Sequence, residues 1–146
     1  MEDILVDMND KSKYQLIENI GKVNLNLYNE FFDKKILTEE LVLTKNRAEH
    51  IDERRYGLLE QYKKEILLTI NEPDLIIRDD KHSIDTVISI KKVNDNKVNK
   101  SLYVVIKFTL EGNNYEYKNS IITMTTIGEK KLNQIRRNKT ILYDRL

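Results

Sequence analysis

The segment Arg47-Ala48-Glu49-His50-Ile51-Asp52-Glu53-Arg54-Arg55 concentrates the side chains best suited to chemistry. Offsets of three and four residues return to the same face of a helix, so a helical segment would align Arg47, His50 and Arg54 in one column. Histidine titrates near neutral pH and carries a proton in either direction, while guanidinium groups hold phosphate oxygens through paired hydrogen bonds. A proton carrier between two permanent cations is a candidate phosphate-handling site. The competing reading of the same residues is a solvated helix face on which Glu49 and Glu53 neutralise the arginines, because exposed ion pairs are common and contribute little. The second histidine, His82, lies in the polar run Asp79-Asp80-Lys81-His82-Ser83 and reads as a solvated loop residue rather than a second catalyst.

Composition narrows the chemistry further. The 146 residues fit a single domain that can bury a core without disulfides or metal. Absence of cysteine removes disulfide stapling, cysteine zinc sites and thiol catalysis together. With two histidines, and no His-x-x-x-His or clustered carboxylate pattern, neither a metal site nor a cofactor is expected. Residues 1–10 are acidic and lack an apolar run, so a signal peptide or membrane span is not expected there, and the chain reads as cytoplasmic.

The net charge of +1 conceals an asymmetry: residues 1–80 hold 12 Lys/Arg and 18 Asp/Glu, whereas residues 81–146 hold 13 and 6. Basic residues in the second half include Lys118, Lys130, Lys131, Arg136, Arg137, Lys139 and Arg145. Such a cluster suits a surface that tracks the phosphates of a polyanion. Mutual neutralisation of the two halves within one fold is the alternative.

Positioning elements follow from periodicity. Leu16, Ile17 and Ile20, then Leu27, Tyr28, Phe31 and Phe32, recur at helical offsets, which predicts an amino-terminal helical region over residues 1–40 in two pieces broken at Gly21. Leu41-Val42-Leu43-Thr44 could be a short strand, and Thr44 or Asn46 could cap the His50 helix. A further helix from about Leu58 to Ile70 should end before Asn71-Glu72-Pro73, since the residue before proline avoids the helical region. After Pro73 the period becomes two. Ile84, Thr86, Ile88 and Ile90, and then Leu102, Val104, Ile106, Phe108 and Leu110, alternate with polar residues, which predicts strands with one buried face and with Ser89 and Lys107 on the other. Asn94-Asp95-Asn96-Lys97 and Gly112-Asn113-Asn114 are short, turn-rich connections suited to hairpins. A third strand is expected from Tyr115 to about Thr126, a helix from Glu129 to Arg137, and a last strand from Thr140 to Tyr143. The expected class is α+β, with N-terminal helices packed on an antiparallel β-meander and residues 41–146 forming the helix-plus-meander core.

Several segments, in order, match a known pattern: Ile20-Gly21-Lys22-Val23-Asn24, Leu41-Val42-Leu43-Thr44, His50-Ile51-Asp52-Glu53-Arg54, Asn71-Glu72-Pro73-Asp74, Tyr117-Lys118-Asn119-Ser120-Ile121-Ile122-Thr123 and Ile141-Leu142-Tyr143. On these the sequence resembles the phage-associated branch of the barnase, EndoU, colicin-type and RelE-like ribonuclease superfamily, small domains of phage and mobile-element proteins, some toxin-like. The family pattern around the histidine is His-Ile-x-x-Arg-His, usually followed by proline. His50 and Arg54 fit it, Arg55 stands where the second histidine would be, and Tyr56 replaces the proline.

The resemblance implies a metal-independent ribonuclease in which the ribose 2'-hydroxyl attacks its own phosphate. That reaction needs a base at the 2'-oxygen, an acid at the leaving 5'-oxygen and fixed positive charge at the phosphate. It implies His50 as proton carrier, Arg54 as phosphate ligand, and Ser120 and Thr123 as hydroxyls that position the phosphate. Arg47, Arg55, Lys118, Lys130, Arg136 and Arg137 would bind substrate, tRNA or another structured RNA. Ser120 and Thr123 have opposite parity in a regular strand, so both reach one site only if a bulge intervenes. Tyr103, Tyr115, Tyr117 and Tyr143 would stack on bases if exposed, or pack in the sheet. Guanidinium stays charged near neutral pH, so Arg55 cannot replace a proton-transferring histidine. The alternative is a module of the same fold that binds nucleic acid or a protein, such as an immunity or host protein, with turnover weakened or lost.

Overall fold

Thr44 and Pro73 bracket the helical part of the chain. In the computed structural model, which describes residues 17–95, 98–112 and 118–146, the Thr44 hydroxyl accepts from the Arg47 amide at 3.3 Å and starts helix α2 (Lys45–Arg54). Gly57, at φ +80°, then reverses the chain into α3 (Leu58–Asn71), which stops two residues short of Pro73. Before them lie strand β1 (Ile17–Lys22), the single turn α1 (Leu25–Tyr28) with a 3-10 turn at Asn29–Phe31, and β2 (Glu40–Thr44). After them come β3 (Leu75–Arg78), β4 (Thr86–Asp95), β5 (Val98–Lys107), β6 (Asn119–Gly128), α4 (Glu129–Asn138) and β7 (Ile141–Asp144). The fold is α+β.

The strands form one seven-stranded mixed sheet in the order β1-β2-β6-β5-β4-β3-β7. Successive pairing is antiparallel from β4 to β5 to β6, with Ile88 opposite Val105 and Val104 opposite Met124. By contrast β2 joins β6 in parallel through Leu41–Asn119 and Val42–Ser120. No helix among the described residues is long and apolar enough to cross a membrane.

Two expectations are corrected. The first predicted helical piece is instead β1, paired antiparallel with β2, and Gly21 marks a bulge in it rather than a helix break. Ile17 and Ile20 fit a strand as well as a helix, and the edge offered by β2 satisfies the backbone. The second piece shrinks to α1 and the 3-10 turn, from which Tyr28 enters the core.

The sheet also has two buried faces rather than one. Against α2 and α3, Tyr28, Leu43, Ile51, Tyr62, Ile66, Ile70, Val104, Ile106 and Phe108 form the larger core. On the reverse face Leu75, Ile77, Ile88, Ile90, Val105 and Ile122 pack with Leu132 and Ile135 of α4. Ile88 and Val104 therefore point to opposite sides. Ser89, expected on the open side, is fully buried under Tyr28, whereas Lys107 is half-buried. A sheet covered on both faces loses the simple apolar-in, polar-out alternation. Leu16, the Asn96-Lys97 and Asn113-Asn114 turn residues, Tyr115, Tyr117 and the acidic residues 1–10 lie outside the described residues.

Candidate functional site

Ile51 anchors α2 in the larger core, and this fixes where the flanking side chains emerge. Arg47 and His50 are half-buried beside the anchor, and Arg54 is exposed one turn further on. None of the three side chains makes a hydrogen bond or ion pair among the described residues, and neither Glu49 nor Glu53 neutralises them. The column expected from the spacing is present, and its cations are unpaired. Arg55 behaves differently: as the C-cap of α2 it donates from Nε to the Thr125 hydroxyl of β6. This bond ties the end of α2 to the strand that carries Ser120 and Thr123.

A bulge in β6 settles the parity of those two hydroxyls. Ser120 faces Lys107 and Thr123 faces Val105, with the register shifting between them, so Ser120 and Thr123 emerge on one face of the sheet, the face that α4 partly covers. Both are half-exposed. The start of β6 is held by Asn119, which is fully buried. Its side-chain oxygen accepts from the Thr109 amide at 2.9 Å, and its amide group donates to the Thr38 carbonyl at 2.6 Å. Asn119 thus fastens β6 both to the end of β5 and to the approach to β2.

The remaining basic residues are dispersed. Lys118 is paired with Glu40 beside β2, so its charge is largely answered within the fold. Lys130, Arg136 and Arg137 stand on the exposed side of α4, whose apolar side covers the reverse face, and they form a strip separate from α2. Within that strip Arg136 is bound to Asp144 at 3.2 Å. Tyr103 is half-buried in the sheet, which fits packing rather than base stacking.

His82 is an exposed loop residue, as its polar surroundings suggest, and its ring is held by a neighbour. Its Nδ1 lies 2.7 Å from Oδ2 of Asp79, a carboxylate almost wholly removed from solvent. Oδ2 also accepts from the Thr86 hydroxyl at 2.8 Å, while Oδ1 accepts from the amides of Lys81 and His82. Burial alone would raise the Asp79 carboxyl. The Lys81 amide, the Thr86 hydroxyl, and the hydrogen bond and charge of His82 outweigh burial and hold it below its ordinary value. Burial, reinforced by the negative charge of Asp79, pushes the Tyr103 phenol up.

Register connects this network to β6. Thr86 faces Lys107, Lys107 faces Ser120, and Ser120 faces Val42, giving one lateral row on a single face. Two strand spacings, roughly 10 Å, separate the backbones of Thr86 and Ser120. Among the described residues no three His, Cys, Asp or Glu side chains gather as a metal site would.

The chain matches no protein-family model, no curated protein and no solved structure.

Two residues of structural weight escaped the sequence. Asp79 carried a readable signal, since an aspartate followed by polar residues in a loop commonly accepts from amides two and three positions on. Asn119 carried none, because its partners Thr38 and Thr109 are distant or in another strand.

Proposed function

We propose that the chain is a metal-independent ribonuclease acting at the surface where α2 meets β6. The observation that supports this reading best is the column Arg47–His50–Arg54, unpaired among the described residues, on a helix that packs on β6 and is tied to it by the bond from Arg55 to Thr125. Unpaired guanidiniums beside an imidazole leave the positive charge available for a phosphate rather than spent within the fold.

In the proposed reaction His50 removes the proton from a ribose 2'-hydroxyl, and the 2'-oxygen forms a bond to the adjacent phosphorus. The bond from phosphorus to the 5'-oxygen breaks, and that oxygen takes a proton from water, leaving a 2',3'-cyclic phosphate and a 5'-hydroxyl, while the protonated His50 returns its proton to solvent. Arg54, assisted by Arg47, stabilises the charge gathered on the phosphorane oxygens, and Ser120 and Thr123, which emerge on the opposite face of the sheet, take no part. The RNA substrate, tRNA or another structured RNA, the phage or mobile-element setting and an immunity or host protein partner follow from the resemblance and belong to this proposal, as does the cytoplasmic location read from the sequence itself.

A second reading, binding without turnover, is favoured by Arg55. It stands where the resemblance would put a second histidine, and its guanidinium is held by Thr125. Incubation of the purified protein with total RNA, with and without EDTA, separates the two. Cleavage that survives EDTA, yields cyclic phosphate ends and spares DNA supports the ribonuclease. RNA retention with no new ends supports the binding module.

A further inference from the structure

The cavity beside His82 has the makings of a second ligand site. It has a volume of about 270 Å³, and its lining combines the apolar Phe31, Phe32, Ile84 and Leu142 with the polar Arg78, Asp79 and His82 and the hydroxyls of Ser83 and Thr86. Its polar members are arranged for an external partner. Asp79 engages Nδ1 of His82, which directs the hydrogen-bonding capacity left on the ring to Nε2, and Nε2 has no partner among the described residues. The exposed guanidinium of Arg78 makes no hydrogen bond or ion pair among them either. Its apolar members are similarly open: Phe31 and Phe32 are only partly buried, and Ile84 is 84% exposed.

We propose that this cavity binds one nucleotide unit of an RNA chain, with the phosphate held by Arg78 and His82 and the base laid against Phe31, Phe32 and Ile84. A flat heteroaromatic ring attached to an anion matches a cavity whose lining holds both aromatic rings and a guanidinium. The volume lies at the low end of small-molecule sites, about 300 Å³ and upward, which suits a single nucleotide. Asp79 acts as a positioning residue, because the tautomer and orientation of His82 depend on it. The choice of RNA rests on the ribonuclease or RNA-binding reading, whereas the existence of the site does not depend on His50.

The test is a titration of the full chain followed by NMR of the His82 imidazole and the Phe31 and Phe32 rings. Adenosine 5'-monophosphate should shift these signals saturably, adenosine and inorganic phosphate should each bind more weakly, and a 2'-O-methyl oligoadenylate, which cannot be cleaved, should bind more tightly. Arg78→Gln and His82→Gln, both at exposed positions, should each weaken the monophosphate by roughly tenfold or more, the loss of a charge-assisted contact. Asp79→Asn should change the nitrogen shifts that report the His82 tautomer as well as affinity. Absence of shifts at millimolar monophosphate, or unchanged affinity in Arg78→Gln, would overturn the site. Adenosine binding as tightly as the monophosphate would overturn the phosphate contact, and an oligoadenylate no tighter than the monophosphate would overturn the assignment to RNA. Cleavage unchanged in His50→Ala, or absent from the natural chain, with these shifts retained is failure of the catalytic reading alone, whereas cleavage that depends on His50 with no shifts at His82 is failure of this one.

Discussion

The hydroxyl of Tyr28 donates to the Ile70 carbonyl at 2.6 Å and accepts from the hydroxyl of Ser89, so one side chain fastens the last turn of α3 to the middle of β4. All of this lies in the core, and burial drives the phenol's pKa well upward against a smaller opposing effect of the Ser89 bond. Tyr28→Phe keeps the ring, which stacks on Phe108 at 4.9 Å, but leaves a buried serine hydroxyl without this partner. The expected loss is about 1–3 kcal/mol. Urea unfolding should show a lower midpoint with an unchanged slope.

Acid should weaken the β3–β4 connection through Asp79. Its folded-state pKa lies below the unfolded value of about 3.9, so its ionised form contributes stability that is complete above that value. The contribution is lost as the pH falls from there through the depressed folded-state value. Thermal melts followed by circular dichroism between about pH 6 and pH 2 should show a steep acid limb in the natural chain. Asp79→Asn should be less stable at pH 6 and show a shallower limb.

Catalysis at α2 predicts that His50→Ala lowers the rate of RNA cleavage by roughly two to four orders of magnitude. Arg54→Lys should also be harmful, since an ammonium cannot reproduce a two-point phosphate contact. Gel assays with end-group analysis measure both. Cleavage unchanged in His50→Ala would remove the assignment. Arg55→His supplies a second imidazole and releases Thr125. A gain in rate from that substitution would mean that the natural chain is a weakened nuclease.

The α4 strip predicts a salt dependence. Because each neutralised phosphate releases counterions, log affinity for RNA should fall linearly with log salt. Replacing Arg136 and Arg137 together with Gln should flatten that line. Arg137 is expected to account for more of the change, as Arg136 is already engaged by Asp144. Filter binding across a salt series reads the slope, and a slope that the double variant leaves unchanged would place the phosphate contacts elsewhere.

Gly21 predicts a purely structural effect. It sits at φ +146° in the β1 bulge, where an added Cβ would lie 2.7 Å from a methyl carbon of Leu67. The Leu67 side chain can shift, but the backbone conformation disfavours any L side chain. Gly21→Ala should cost about 1–3 kcal/mol and lower the melting temperature without affecting ligand shifts at His82.

Legibility in the sequence followed the range of the determining contact. Thr44 as cap, Pro73 as stop and the β4–β5 hairpin depend on neighbours a few residues away, and the structure contains all three. The Arg47–His50–Arg54 column is equally local. What escaped depends on distant partners: β1 is a strand because β2 lies beside it, and Ser89 is buried because Tyr28, 61 residues earlier in the chain, reaches it. The bulge that aligns Ser120 with Thr123 is a property of pairing with β5, invisible in β6 alone. His82 is the exposed loop residue its surroundings suggest, but a polar loop sequence does not reveal that Asp79 turns inward and holds its ring.

The parallel joint between β2 and β6 is only two residue pairs long, yet it links β1, β2 and the root of α2 to the rest of the sheet. Such a joint closes a chain loop of more than seventy residues and is reinforced mainly by Asn119 and by the packing of α2. The long ladders of β4, β5 and β6 form between near neighbours in the chain, so they should close early in folding, with the β1–β2 ribbon docking last. The same seam is then the natural plane of partial opening, with amides of β1 and β2 exchanging their hydrogens faster than those of β4 and β5. His50, carried at the margin of that plane, rides on the block whose strand pairing to the rest of the sheet is the shortest.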